Sequence, residues 1–176
     1  MKYFMTALAA TIGFTMTGCA DKEPEYRSAQ CTIDNLVAPL WACGDSKIEG
    51  SFTAVGSASL SQLGQGVSRR EAMNNARLNL SKKLQADVNK KISLFMESAK
   101  LGHTDTISSQ ISENIASTMP VSSKQMRYWQ SSATKEIYVL VGVAQNDINI
   151  AIKETLQSHY NNSEALKKLD EVFPTY

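Results

Sequence analysis

One amphipathic stripe in the middle of this chain constrains its fold more than any other feature. Apolar side chains recur there at steps of three and four, at Met73, Ala76, Leu80, Leu84, Val88, Ile92, Phe95 and Ala99. That spacing matches the period of a helix with one buried face. Ser68 and Glu71 have the spacing of a capping box, and Gly102 is a typical stop signal, so we expect a helix from Arg69 to Leu101. At ~1.5 Å per residue, such a helix is nearly 50 Å long and must bend over a sheet or project past it.

Three segments have the patterns of β-strands. Residues 51–60 alternate apolar and polar side chains, which predicts a strand with one buried face. Residues 136–144 are apolar on both faces, which predicts a central strand. Residues 122–132 are more polar, and only a short turn separates them from the central strand. We therefore expect a hairpin in which residues 122–132 are the edge strand.

Further helical patterns flank the hairpin, one from Ile107 to Met119 before it and two after it. Asn146 or Asp147 can cap the first of those two, and Ser163 can cap the second. The order of elements predicts an α+β fold, in which a small three-stranded antiparallel sheet packs against the long helix, with additional C-terminal helices. One face of the sheet is then covered by the long helix, and the other needs either the terminal helices or another subunit.

The N-terminus has the layout of an export signal. Lys2 precedes an uncharged, largely apolar run that ends at Met16-Thr17-Gly18-Cys19, which resembles a bacterial lipobox. The resemblance implies that residues 1–18 are a lipoprotein signal peptide and that Cys19 is acylated. A transmembrane anchor is the alternative, but a span needs ~20 apolar residues and this run is shorter and rich in Thr and Gly.

The polar composition of residues 19–30 predicts a flexible tether that carries the lipid. The tether would lead to a single domain at residues 31–176. Asp21 is not adjacent to Cys19, which resembles the pattern of lipoproteins sorted to the outer membrane. We therefore expect the protein to be anchored in the outer membrane by its lipid and to face the periplasm, with surface exposure as the alternative.

Two cysteines remain in the expected domain. In an exported protein, Cys31 and Cys43 are candidates for a disulfide bond, which would stabilise the domain by about 3 kcal/mol. A metal site is the alternative, but His103 and His159 lie far away in sequence. Residues 31–50 otherwise have a loop-like composition, with Trp41 as an apolar anchor onto the core.

The overall charge gives no indication of a nucleic-acid partner. The sequence contains eighteen Lys and Arg residues and seventeen Asp and Glu residues, so its net charge is +1. One local basic bias occurs on the long helix, at Lys82, Lys83, Lys90, Lys91 and Lys100. We expect a solvated helix face there, with contact to anionic lipid or glycan as the alternative.

No motif in the sequence supports a catalytic site. The carboxylates occur singly on amphipathic faces, and the two histidines are expected at the surface. Gly64-Gln65-Gly66 lacks the remaining residues of a dinucleotide fingerprint or a P-loop. We predict that the protein is not an enzyme and has no cofactor or metal.

Several motifs together resemble the Lpp-twenty family of small outer-membrane lipoproteins, which includes flagellum-associated FlgP-type lipoproteins. Besides the lipobox, the resemblance rests on four stretches of the chain, at residues 39–43, 52–58, 70–84 and 137–143. It implies a dodecin-like domain, with a long helix on a three-stranded antiparallel sheet. It also implies a structural role in envelope or flagellar assemblies, as a homo-oligomer or with other envelope proteins.

A binding role is the alternative function. The expected edge strand carries Arg127, Tyr128 and Trp129, a composition common at interfaces. A surface or periplasmic lipoprotein could use these residues to contact host or envelope ligands.

Overall fold

The computed structural model describes residues 30–101, 105–160 and 163–176. The expected signal peptide, Cys19, most of the tether and Gly102 lie outside the described residues. The elements are strands β1 (Gln30–Ile33), β2 (Leu36–Pro39), β3 (Ser51–Ala58), β4 (Lys124–Gln130) and β5 (Ile137–Ala144), and helices α1 (Gln65–Ser98), α2 (Asp105–Thr118), α3 (Gln145–His159) and α4 (Ser163–Val172). Short 3₁₀ helices occupy Leu40–Cys43 and Met119–Ser122.

The α+β prediction is confirmed. An antiparallel sheet of order β3-β5-β4 packs against α1, so β5 is the central strand and β4 an edge strand, as expected. All residues of β5 except Ala144 are buried. The pairing of β4 with β5 shifts register at a bulge between Gln125 and Arg127.

Helix α1 follows the predicted apolar stripe. Ala76, Leu80, Leu84, Val88, Ile92 and Phe95 are fully buried, and Met73 and Ala99 pack against them. The predicted helix start is wrong, because Ser68 lies inside the helix, where its hydroxyl accepts a hydrogen bond from the backbone N–H of Ser61 at 2.7 Å. The N-cap is Gly64, whose φ of 99° favours glycine.

The helix lies unusually close to β3. A Cβ atom at Gly56 would clash with the backbone of Ala72 and Ala76, so only glycine permits this approach. β3 spans about 27 Å, whereas α1 spans about 50 Å. The helix therefore projects past the sheet, one of the two alternatives that its length predicted.

The projecting part of α1 is covered by the other helices. Phe95 lies there against the rings of Tyr160 and Phe173, with centroid distances of 6.2 and 6.3 Å. The C-terminal helices thus complete the main core beyond the sheet, as part of one cluster that also contains Ile148, Ile152, Leu156 and Leu169. The predicted side-chain cap of α3 is wrong, since its N-cap is Ala144, and Asn146 accepts a hydrogen bond from the Tyr176 backbone instead.

The second face of the sheet is covered by residues 30–50, which we call the cover segment. Its Trp41 and Ala42 form a separate small cluster with Tyr138 and Leu140 of β5. The expectation that terminal helices or another subunit cover this face was therefore wrong. The loop-like composition was also misleading, because β1 and β2 form a hairpin whose turn, Asp34 and Asn35, has φ values of 52° and 63°.

Candidate interaction surface

The two edges of the sheet differ in what covers them. At the β3 edge, Asn75 and Asn79 donate hydrogen bonds of 2.8 Å to the carbonyls of Ser57 and Val55. Lys83 Nζ donates to the Thr53 carbonyl at 3.3 Å. We call these three α1 side chains the β3 edge cap. Their spacing of four residues puts them on one helix face, where they satisfy alternate outward carbonyls of β3.

The β4 edge has no such cap among the residues that the structure describes. Within the described parts of the chain, no group outside β5 forms a hydrogen bond with the main chain of β4. In an antiparallel pair, alternate residues turn both backbone groups away from the partner strand. The outward N–H and C=O groups of this edge therefore have no partner among the described residues.

The structure divides the three predicted interface residues between the two sheet faces. Tyr128 lies opposite Val139 on the face covered by α1. Its hydroxyl accepts a hydrogen bond from Gln65 Nε2 at 2.6 Å, and the Arg69 guanidinium lies 5.5 Å from its ring centroid. Tyr128 therefore helps attach β4 to α1, although its side chain is still 37% exposed.

Arg127 and Trp129 lie together on the other face. Trp129 stands opposite Tyr138 in the sheet, and their ring centroids are 5.2 Å apart. Arg127 is exposed, and the nearby Met126, which lies over Gly142, is 41% exposed. An arginine on the same strand as an exposed methionine and a partly buried tryptophan has the composition of a protein interface.

Positive charge gathers along β4. Lys124 and Arg127 are exposed on the strand itself. Arg69 Nε donates to the Gln125 side chain at 2.8 Å, and Arg77 Nε donates to Ser123 Oγ at 3.3 Å. Among the described residues, none of these four cations forms an ion pair with a carboxylate, whereas Lys91, Lys153 and Lys168 do.

The cover segment is fastened at two points. The sulfur atoms of Cys31 and Cys43 lie at disulfide-bonding distance, with a Cα–Cα distance of 6.4 Å. This bond links β1 to the 3₁₀ helix that carries Trp41, whose side chain is only 6% exposed. Trp41 thus acts as the predicted anchor, on the sheet face opposite α1.

Tyr138 connects the cover segment to the β4–β5 turn. Its hydroxyl donates a hydrogen bond to Glu136 Oε2 at 3.2 Å. Burial, with additional negative charge from Glu136 and Asp34, raises the pKa of Tyr138 to about 12. The phenol is therefore neutral at ordinary pH and acts as a donor rather than as a base.

An open groove of about 610 Å³ lies between the cover segment and the start of β3. Lys47 and Lys83 line it together with Asp45 and Glu49, so its charges are mixed. None of these four side chains is buried. The groove has no arrangement of converging groups that would select one ligand.

In the described ranges, no group of three or more His, Cys, Asp or Glu side chains is placed to hold a metal ion. His159 is exposed at the end of α3, and His103 lies outside the described residues. None of the described helices has the length and hydropathy of a membrane span.

Comparison with known proteins places this domain in a family. No curated protein matches the chain. The family described as LPP20 lipoprotein matches residues 39–144, which is more than half of the sequence and extends from the cover segment to the end of β5. The matched region contains the cover-segment tryptophan, all three strands of the main sheet and α1, and the chain belongs to the LPP20 lipoprotein family.

Proposed function

We propose that this protein is a non-enzymatic lipoprotein of the bacterial outer membrane that serves as a structural or assembly component of the cell envelope. The observation that carries the proposal is its membership of a lipoprotein family over residues 39–144. The lipobox at Cys19 supplies the lipid anchor in this proposal. Two or three acyl chains would hold such a domain firmly on a membrane, since each buried CH₂ contributes ~0.8 kcal/mol.

The flagellar basal structure outside the inner membrane is the most concrete assembly for this role. Two features support a role as a structural component of such an assembly. They are the compact α+β domain and the cationic β4 edge. A deletion strain tests the proposal through swimming motility and electron tomography of the basal structures. We expect lost motility and a missing basal density, and normal motility with intact basal structures would remove the flagellar role.

Anchoring is tested separately by complementing the deletion strain with Cys19→Ser. We expect the wild-type protein to take up an alkyne analogue of palmitate and to fractionate with the outer membrane. The Cys19→Ser variant should lose both properties, whereas a Cys31→Ser control should keep the label. A Cys19→Ser variant that is still labelled would contradict the proposed anchor.

A second candidate function is a binding lipoprotein that contacts host or envelope ligands. The exposed Arg127 beside Met126 and Trp129 favours it. Ligand binding that is lost in Trp129→Ala, in a strain whose flagella are normal, would favour this function over the first.

A further inference from the structure

We propose that the β4 edge binds an extended, acidic segment of a partner protein, which adds to the sheet as a fourth strand. This proposal rests on the proposed function, because it names the surface through which an envelope assembly would bind this domain. It is argued from the difference between the two sheet edges and from the charge around β4.

The first step is that α1 side chains close one edge of the sheet, whereas no described group closes the other. Asn75, Asn79 and Lys83 bond the outward carbonyls of β3. A fourth strand at β3 would have to displace all three side chains. The β4 main chain has no bond to a described group outside β5, so a strand can pair there without displacing any described hydrogen bond.

The second step is that a usable length of β4 is regular. After the bulge, Arg127 to Gln130 pair with β5 in unbroken register. The side chains of this stretch alternate between the α1 face and the cover-segment face. An added strand would therefore receive main-chain bonds along its length and side-chain contacts on both faces.

The third step is that charge selects the partner. Two cations, Lys124 and Arg127, lie on β4 itself. Two more, Arg69 and Arg77, donate hydrogen bonds to Gln125 on β4 and to Ser123 just before it. None of the four forms an ion pair with a described carboxylate. A second copy paired through β4 would bring like charges together, which is unfavourable in a sheet. An acidic strand would instead neutralise these cations, so the same charges that oppose self-pairing favour this partner.

The fourth step is that an exposed aromatic ring lies on the opposite face of the open edge from Arg127. Tyr128, on the α1 face, is 37% exposed, whereas Arg127 lies on the cover-segment face. Apolar side chains on the α1 face of the incoming strand would cover the Tyr128 ring, and acidic side chains on its other face would meet Arg127. The preferred segment thus alternates acidic and apolar residues.

The test uses the full chain, purified in detergent, and two synthetic peptides as long as β4. The probe alternates Glu and Val, and the control peptide has Lys in place of every Glu. Hydrogen exchange of backbone amides, followed by NMR, locates the bound peptide. We expect the acidic peptide to slow exchange at alternate β4 residues, to leave β3 unchanged and to bind more weakly as salt is raised.

Charge-reversal variants sharpen the test. Arg127→Glu should weaken binding of the acidic peptide by about tenfold or more. Lys90→Glu is the matched control, because Lys90 is exposed on α1 about 30 Å along the helix from Arg69. It should bind the peptide as the wild type does.

Three results would overturn the proposal. The first is that millimolar acidic peptide leaves β4 exchange unchanged. The second is that the lysine peptide protects β4 equally well. The third is protection of β4 without peptide that rises with protein concentration, which would assign the edge to a second copy. These measurements use purified protein, so they can fail while the deletion strain still shows the envelope role, and the reverse also holds.

Discussion

The two faces of the main sheet are covered in different ways. The α1 face is covered by a continuous helix with six fully buried apolar side chains between Ala76 and Phe95, and the C-terminal helices extend the same core. The opposite face is covered by residues 30–50, where Trp41 and Ala42 meet Tyr138 and Leu140 in a small cluster. The burial of a large apolar area stabilises the packing of α1 on the sheet. The cover segment is instead held by one large side chain and by a covalent link between Cys31 and Cys43.

This difference implies two levels of stability within one chain. Regions with large buried cores open only with the whole domain, whereas small satellite clusters open locally at lower free energy. We infer that the cover segment can detach while α1 stays packed on the sheet. The predictions below test the two faces against each other.

The largest effect is expected at Gly56, where α1 approaches β3 most closely. In Gly56→Val, the new side chain would clash with the backbone of Ala72 and Ala76, which cannot move without separating helix and sheet. We expect a loss of more than about 4 kcal/mol in the free energy of unfolding, measured by urea denaturation. Gly66→Ala is the control, since a Cβ there meets no atom within 4 Å, and it should be neutral or stabilising.

The next test compares one buried residue from each face. Leu84 is fully buried under α1, and Leu84→Ala should lower the free energy of unfolding by about 3 kcal/mol. Trp41→Ala should cause a smaller loss, because the cover segment can open without unfolding the main core. Equal losses for both variants, with one shared unfolding transition, would argue that the two faces form a single cooperative unit.

A smaller effect is expected at the β3 edge cap. Asn79→Ala leaves the Val55 carbonyl without its side-chain donor and should cost about 1 kcal/mol. Asn74→Ala is the matched control on the same helix, because Asn74 is exposed. Urea denaturation of both variants measures the difference, and identical stabilities would show that the cap contributes nothing.

The last effect concerns Tyr138 and is absent at neutral pH, because it appears only in alkali. Its pKa is raised from 10.0 to about 12, so the folded state favours the neutral phenol. That contribution to stability is complete below about pH 10 and is lost as the pH rises towards 12. Absorbance at the phenolate band should show one late-ionising tyrosine in the wild type that is absent in Tyr138→Phe. Identical titrations of the two proteins would contradict the assignment.

The α1 face was predictable from sequence because a helical period is a local signal. The stripe from Met73 to Ala99 predicted which face of the helix is buried. The apolar run at residues 136–144 predicted the central strand. The helix start was mispredicted because Ser68 bonds Ser61, a contact with residues outside the helix that overrides the local capping pattern.

The second face could not be predicted in the same way. Its hairpin had one local signal, since Asp34-Asn35 tolerates positive φ and lies between the apolar residues Ile33 and Leu36. Nothing in the sequence of residues 30–50 specifies which sheet face Trp41 covers. The interface residues illustrate the same problem: Arg127 and Trp129 share a face by strand alternation, but the bond from Gln65 to Tyr128 depends on where α1 begins.

The most direct test of the two-level account is hydrogen exchange, followed by mass spectrometry, of the oxidised protein and of the protein reduced with a phosphine. The account predicts faster exchange across residues 30–50 after reduction, with unchanged protection of α1 and β5. Loss of protection throughout the domain would contradict it, because the cover segment would then be part of the main cooperative core. Unchanged exchange in residues 30–50 would also contradict it, because the disulfide would then contribute nothing to holding the cover.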